Sequence, residues 1–412
     1  MNPILPDKYF IPDVEARVMP DGRLYLYGSW GDWATQIFDT HELHCLSTDD
    51  LVHWEDHGLI YRNDETWAGL PWDPTSFLWA PDAVYKDGKY YLYVCGSNGK
   101  EGVTVSDSPI GPFPAAEPIT IADGDGIDPA IFVDDDGQAY YYWGQFHLRG
   151  GKLADDMKTL IPETVNENII TEWEHGFHEG ASVRKRNGKY YLVYTDISRG
   201  RATCMSYAMA DHPLGPYRKC GVIVDNVYCD PQTWNDHGSI EEFNGQWYVF
   251  YHKASQNSFT WRRVSIEPIE FDENGLIKEV EMTSQGAFGP LDAFSTIPAR
   301  TACRIMGTSY IGFCDDQEVL TSTPGRHWKV DDWAEYKYID FGHGAIQNFR
   351  LKVRGHGKIN VMTDGNEILC TPTFDCDQFE DVIVPCKEVQ GIHKLWLFMD
   401  GEFEVKDFSF LK

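Results

Sequence analysis

Long apolar runs, a leader-like start, paired cysteines and positive charge are all scarce or missing in this 412-residue chain. No stretch approaches the roughly 18 consecutive apolar residues that a membrane span needs. The first residues, Met1-Asn2-Pro3-Ile4-Leu5-Pro6-Asp7, contain neither a basic stretch nor an apolar core, so no secretory signal is read there. The 10 cysteines are scattered, with no Cys-x-x-Cys pair and no zinc-ligand spacing. Reduced thiols and a cytosolic location are the expectation, which a trimmed leader would reverse. Lys and Arg number 35 against 64 Asp and Glu, a net charge of −29. Such a surface repels phosphate backbones and anionic lipid, so nucleic acid and membranes are excluded as partners and a neutral ligand is favoured over a polyanion such as pectin. No segment carries a long 3.6-residue apolar period, so few helices are expected. Oligomeric state is not legible.

Aromatic residues, by contrast, make up 14% of the chain, which suits β-sheet cores and sugar-stacking surfaces alike. Many of them fall in one recurring phrase, a polar turn ending in glycine followed by an aromatic-rich strand. It reads Asp21-Gly22-Arg23-Leu24-Tyr25, then Asp87-Gly88-Lys89-Tyr90-Tyr91, then Asp136-Gly137-Gln138-Ala139-Tyr140. Asn187-Gly188-Lys189-Tyr190 and Asn244-Gly245-Gln246-Trp247 complete the set. Asp-Gly and Asn-Gly are the dipeptides of tight primed turns, so each phrase predicts a β-hairpin. The glycines lie 66, 49, 51 and 57 residues apart, room for about four strands per repeat. The prediction is an all-β chain: a five-bladed β-propeller over residues 1–285, followed after a Gly-, Ser- and Pro-rich connector by a jelly-roll-like β-sandwich over 300–412.

In a propeller the inner strands open on a common rim, so the residues just before each hairpin are compared. Asp13, Asp128 and Glu179 each stand nine residues before their hairpin glycine; Trp79 does so in blade two, and His237 stands eight before in blade five. Each alone is weak, since Asp-Pro is a common turn element and a lone histidine is usually structural. Their shared phase makes them a site. Carboxylates on different blades can flank one bond at the roughly 6.5–9.5 Å separation that inverting glycoside hydrolysis requires. A third carboxylate raises the acid's pKa by repulsion. Spacing does not say which residue is which.

At these residues the chain resembles family 43 glycoside hydrolases. The matching stretches are Ile11-Pro12-Asp13, Trp79-Ala80-Pro81-Asp82, Gly126-Ile127-Asp128-Pro129, His178-Glu179-Gly180 and His237-Gly238-Ser239-Ile240, with Val14 standing where many members have proline. The resemblance implies Asp13 as general base, Asp128 as pKa modulator and Glu179 as general acid. It implies no required cofactor, but a structural calcium in the channel, met by His237 directly or through water. Trp30, Trp33, Trp72 and Trp79 are candidates for the sugar-facing wall, one or two of them facing sugar. Arg262 and Arg263 are candidates for substrate hydroxyls, Arg263 foremost, a solvated strand face being the alternative. The C-terminal part resembles family 6 carbohydrate-binding modules in Trp333-Ala334-Glu335-Tyr336 and Val405-Lys406-Asp407-Phe408. Its last loop, Glu402-Phe403-Glu404, lacks the asparagine of sugar-binding members, leaving a cap on the propeller as the alternative.

The expectation is therefore an inverting β-xylosidase or α-L-arabinofuranosidase acting on short, neutral, plant-derived oligosaccharides. Arabinanase or galactanase activity and a non-catalytic sugar-binding propeller are the alternatives. The Asn-Asp-Pro-Asn phrase of fructan-cleaving propellers is absent, and so is a basic cluster for phosphate.

Overall fold

The computed structural model describes residues 1–31, 40–63, 76–119, 126–230, 235–323 and 332–412. Among these the chain is almost entirely β, with one four-residue α-helix, Glu172–His175. Five sheets follow one another in sequence. Blade one contains β1 (Glu15–Val18), β2 (Leu24–Tyr27), β3 (Glu42–Thr48) and β4 (Trp54–Arg62). Blade two contains β5 (Leu78–Lys86), β6 (Lys89–Gly96), β7 (Glu101–Ser106) and β8 (Glu117–Pro118). Blade three contains β9 (Ala130–Val133), β10 (Ala139–Trp143), β11 (His147–Lys152) and β12 (Asn166–Thr171). Blade four contains β13 (Phe177–Arg186), β14 (Lys189–Asp196), β15 (Cys204–Ala210) and β16 (Arg218–Asp225). Blade five has three: β17 (Gly238–Phe243), β18 (Gln246–Ser255) and β19 (Ser258–Pro268).

The hairpin glycines turn the chain between the first two strands of each blade. Asp87-Gly88, Asn187-Gly188 and Asn244-Gly245 place both residues at positive φ, as a two-residue primed turn demands. Blades one and three differ from the expectation. There only Gly22 and Gly137 have positive φ, and each closes a three-residue loop in which its N–H bonds back to Met19 or Asp134. Five apolar cores, each shared by two neighbouring blades, hold the ring together. Tyr142 and Leu148 pack with Leu192 and Tyr194 between blades three and four, for example.

The ring closes through its N-terminal residues. Ile4 N–H donates to Val264 O (3.0 Å), and the Asn2 side chain bonds both backbone groups of Ile266, so residues 2–4 run along β19 where a fourth strand would lie. Deeper in the channel, ion pairs tie the blades together. Arg17 of β1 holds Asp82 of β5 (2.6 Å) and donates to the carbonyl of Ile131 in β9. Arg184 of β13 holds Glu15 of β1 (2.7 Å) and Glu241 of β17 (2.6 Å). All five blades therefore meet at two buried guanidinium groups.

Beyond the propeller, long strands (Asp332–Asp340, Asn348–Thr363, Thr373–Pro385 and Ile392–Leu411) form a second β-rich unit. Ile392–Leu411 pairs with Asn348–Thr363 along one edge, and with Asp332–Asp340 and then Gln317–Ser322 along the other. The sheet wraps one core lined by Tyr336, Phe341, Phe349, Phe408 and Phe410. This is the sandwich-like unit that the alternating pattern predicts, built as one continuous hydrogen-bonded network.

Candidate active site

The entry ends of the inner strands carry unusual backbone as well as unusual side chains. Asp13 (φ 56°) and Asp128 (φ 54°) both occupy the left-handed region, two residues before β1 and β9 begin. That conformation costs a non-glycine residue about 1 kcal/mol or more and persists only where the surroundings impose it. In blade four the left-handed residue is Gly180 (φ 70°), after Glu179. A Cβ there would lie 3.0 Å from the ring of His237, so only glycine admits the approach.

Asp13 is enclosed by donors. Ser29 Oγ donates to its Oδ2 (2.7 Å) and accepts the N–H of Ala80 in return. Arg262 Nη1 lies 3.0 Å from Oδ1, and His237 Nδ1 lies 3.5 Å from the same oxygen. Burial opposes charge on Asp13, but the His237 contact and the Arg262 guanidinium outweigh it and hold the carboxyl well below the usual range. His237 is raised in turn: burial works against its proton, yet the bond to Asp13 and the charges of Asp128, Asp13 and Glu179 lift it to about 9. Asp128 Oδ2 accepts the N–H of Gly180 (3.0 Å). Its carboxyl is raised to about 7: burial is the largest cause, His237 opposes it, and the charges of Glu179 and Asp13 add to it.

Glu179 is held differently. Its hydrogen-bond partners among the described residues are neutral amides: Asn235 Nδ2 on Oε1 and Gln145 Nε2 on Oε2, each at 2.6 Å. Asn235 also connects the two ends of the site. The backbone N–H of Asp13 donates to His252 Nδ1 (3.0 Å), which leaves the ring proton on Nε2 to reach Asn235 Oδ1 (3.0 Å). Burial and the nearby Arg262 charge keep His252 well below its ordinary pKa, hence neutral. Beside His237, Asp236 is fully buried with neither carboxyl oxygen hydrogen-bonded among the described residues, and burial pushes it far up, toward the protonated form.

Residues 1–277 match the family described as glycosyl hydrolases family 43. The chain belongs to that family. It is 31% identical to a xylosidase/arabinosidase of Thermoclostridium stercorarium, across 89% of this chain and 88% of that one. It is 34% identical to xylosidase/arabinosidase 43A of Humicola insolens, across 67% and 98%. Among solved structures, CoXyl43, a β-xylosidase/α-arabinofuranosidase from a compost metagenome seen with xylotriose in a calcium-free form, is 33% identical with a TM-score of 0.57, across 68% and 97%. A Bacillus subtilis arabinoxylan arabinofuranohydrolase, 24% identical with a TM-score of 0.60 across 100% and 97%, shares the fold over both units. This protein is a glycosidase.

In the family 43 enzyme the three carboxylates and His237 do come together. The other expected residues divide. Arg263 is not at the site: its side chain is 1% exposed and is spent on Glu318 (3.5 Å) and on the carbonyls of Leu5, Asp7 and Tyr9. Side chains alternate along a strand, so Arg262, one residue earlier, faces the channel instead. Trp30 is a packing residue, stacked face to face on His44 (3.9 Å, 3°) and edge-on to Tyr9. Trp79 lines a cleft between blades two and three. Trp33 and Trp72 lie outside the described residues.

The metal reading of His237 fits poorly. Among the described residues no three His, Cys, Asp or Glu side chains are grouped to hold an ion, and Nδ1 of His237 is turned to Asp13. That donor set fits an ion pair, so no step here is routed through calcium.

Ser29, Gln145, Asn235 and His252 were not singled out in the sequence. Two of them had a signal. Tyr27-Gly28-Ser29, Cys95-Gly96-Ser97 and Trp143-Gly144-Gln145 repeat a glycine and a polar residue where the second strand of a blade returns to the rim.

Proposed function

We propose that this glycosidase is an inverting exo-hydrolase that releases xylose or arabinose from short neutral oligosaccharides, with Asp13 as general base, Glu179 as general acid and Asp128 as the group that tunes and orients the acid. The carrying observation is the unequal treatment of the carboxylates. Asp13 is pinned as an anion by Arg262 and His237, the state a base needs to take a proton from water. Glu179 is instead positioned, among the described residues, by hydrogen bonds from the neutral amides of Asn235 and Gln145. The relatives named for xylosidase and arabinosidase activity support pentose as the sugar, and the net charge of −29 favours a neutral substrate.

We divide the chain into a catalytic propeller, 1–285, and a C-terminal domain, 300–412, that acts as a cap. The buried Arg263–Glu318 contact supports this, because it joins β19 to Gln317–Ser322 of the second unit. All ten cysteines are free thiols, which supports a reducing, cytosolic setting.

The test is hydrolysis of nitrophenyl β-D-xyloside and α-L-arabinofuranoside together with xylobiose. Wild type should cleave at least one pentoside. Glu179→Ala should lose roughly two to four orders of magnitude on xylobiose and far less on substrates with activated leaving groups. Full activity of Glu179→Ala on xylobiose would remove the acid assignment.

A further inference from the structure

We propose that Asn226, which directly follows β16, is the positioning residue that keeps the acid and base halves of the site in register. The inference rests on the proposed function, because it names what holds Asn235 and His252 where Glu179 and Asp13 need them.

Asn226 is fully buried. Its Nδ2 donates to two main-chain carbonyls, Asn235 O at 3.0 Å and His252 O at 2.9 Å. Those are the two residues whose side chains link the ends of the site. His252 Nδ1 takes the N–H of Asp13, and Asn235 Nδ2 donates to Glu179. Residue 235 lies ahead of β17 and residue 252 lies within β18. An amide carries two N–H donors, and here each is spent on one of these carbonyls. One side chain therefore ties together the two segments across which His252 Nε2 meets Asn235 Oδ1 at 3.0 Å.

The direction of the amide is settled by its partners. Turned round, Asn226 would set Oδ1 against two carbonyl oxygens, which offer no proton. As it stands, Oδ1 is buried without a hydrogen-bond partner among the described residues. An orphaned acceptor costs stability, so packing alone does not account for an asparagine here. The two bonds made by its other end do.

The turn that presents Asn226 is itself fixed on both sides. Asn226 N–H donates to Thr203 O (3.0 Å), and Cys229 N–H returns to Asn226 O (3.0 Å). From the C-terminal unit, Ile305 N–H donates to Tyr228 O at 2.7 Å. The fold thus holds the side chain, and the side chain holds the two carbonyls. His252 also sits in the ladder between β18 and β19, whereas Asn235 lies outside the strands on an isolated bridge to Ala202. Loss of Asn226 should therefore release Asn235 first, and with it the acid more than the base.

The test compares Asn226→Ala and Asn226→Ser with wild type, the serine keeping one donor on a smaller side chain. The substrates are xylobiose and nitrophenyl β-D-xyloside, or arabinobiose and nitrophenyl α-L-arabinofuranoside if arabinose is the sugar released. In Asn226→Ala, kcat on the disaccharide should fall about tenfold or more, with KM and the nitrophenyl rate each changed by less than about threefold. Asn226→Ser should shift the same way by less. Asn235→Ala removes the group through which Asn226 reaches Glu179, so adding Asn226→Ala to it should not widen the gap between the substrates further. Equal losses on both substrates, no loss, a loss carried by KM, or a gap that widens undiminished in the Asn235→Ala background would overturn the assignment. Full disaccharide activity in Glu179→Ala would instead defeat the functional reading, and this role with it. Thermal unfolding identifies a variant too unstable to assay, and the serine variant is then the one read.

Discussion

Arg262 and Arg263 are consecutive in β19, yet Arg262 Nη1 lies 3.0 Å from Asp13 whereas Arg263 is sealed against Glu318 at the junction with the C-terminal unit. One strand therefore serves the channel with one face and the domain junction with the other. Asp7 reinforces that junction, bonding Arg300 at 2.6 Å and the N–H of Glu318 at 3.1 Å. Substitution should separate the two roles. Arg262→Ala should cost activity with little change in thermal unfolding. Arg263→Ala leaves the buried Glu318 without its guanidinium partner, a change worth about 3–5 kcal/mol, and should lower Tm sharply. A thermal scan and one activity assay on each variant check both expectations; an Arg263→Ala protein as stable as wild type would show that the Arg263–Glu318 contact does not hold the junction.

Asn235 joins His252 to Glu179, so its loss should disturb the acid more than the base. For Asn235→Ala the expected effect is a fall of about 10- to 100-fold in kcat on xylobiose, whose leaving group needs protonation, against a much smaller fall on a nitrophenyl pentoside, whose leaving group does not. Comparison of the two substrates within one variant reads this directly. Equal loss on both would make Asn235 a structural residue only.

His237 sets an alkaline limit. Its pKa rises from 6.5 in the unfolded chain to about 9 in the fold. Between those values the folded protein keeps a proton that the unfolded chain has released. The stabilisation is thus complete below pH 6.5 and is lost as pH rises through about 9. The shift corresponds to at most about 3 kcal/mol. Asp128, raised from 3.8 to about 7, adds a decline of the same sign between those values. In His237→Gln, stability measured by denaturant titration from pH 6 to pH 10 should be lower at pH 6 and should decline less steeply than wild type as pH rises toward 9. An unchanged slope would show that the His237–Asp13 pair does not control it.

How much of this was legible in the sequence differs by residue. The hairpin glycines state their own turn, and a fixed distance before them finds Asp13, Asp128 and Glu179, because a repeat fold turns equal spacing into equal position. Arg262 and Arg263 show where that logic ends. Alternation says that the two face opposite ways, but only the packed structure says which way is the channel. Asn235 and Gln145 were invisible for a related reason: each reaches Glu179 from another blade, 56 and 34 residues away in sequence. Trp30 misleads in the other direction, since an indole stacked on His44 and one stacked on sugar read the same. The C-terminal strands were visible as alternating runs, but not that Ile392–Leu411 would be shared along both its edges.

The central claim is that Asp13 activates a water on one face of the sugar while Glu179 protonates the leaving oxygen on the other. The most direct measurement is the proton NMR time course of the released sugar, taken before mutarotation. With xylobiose, or with arabinobiose if arabinose is the sugar released, the account predicts that the first signal is the anomer opposite to the bond that was cut. Appearance of the retained anomer first would contradict it.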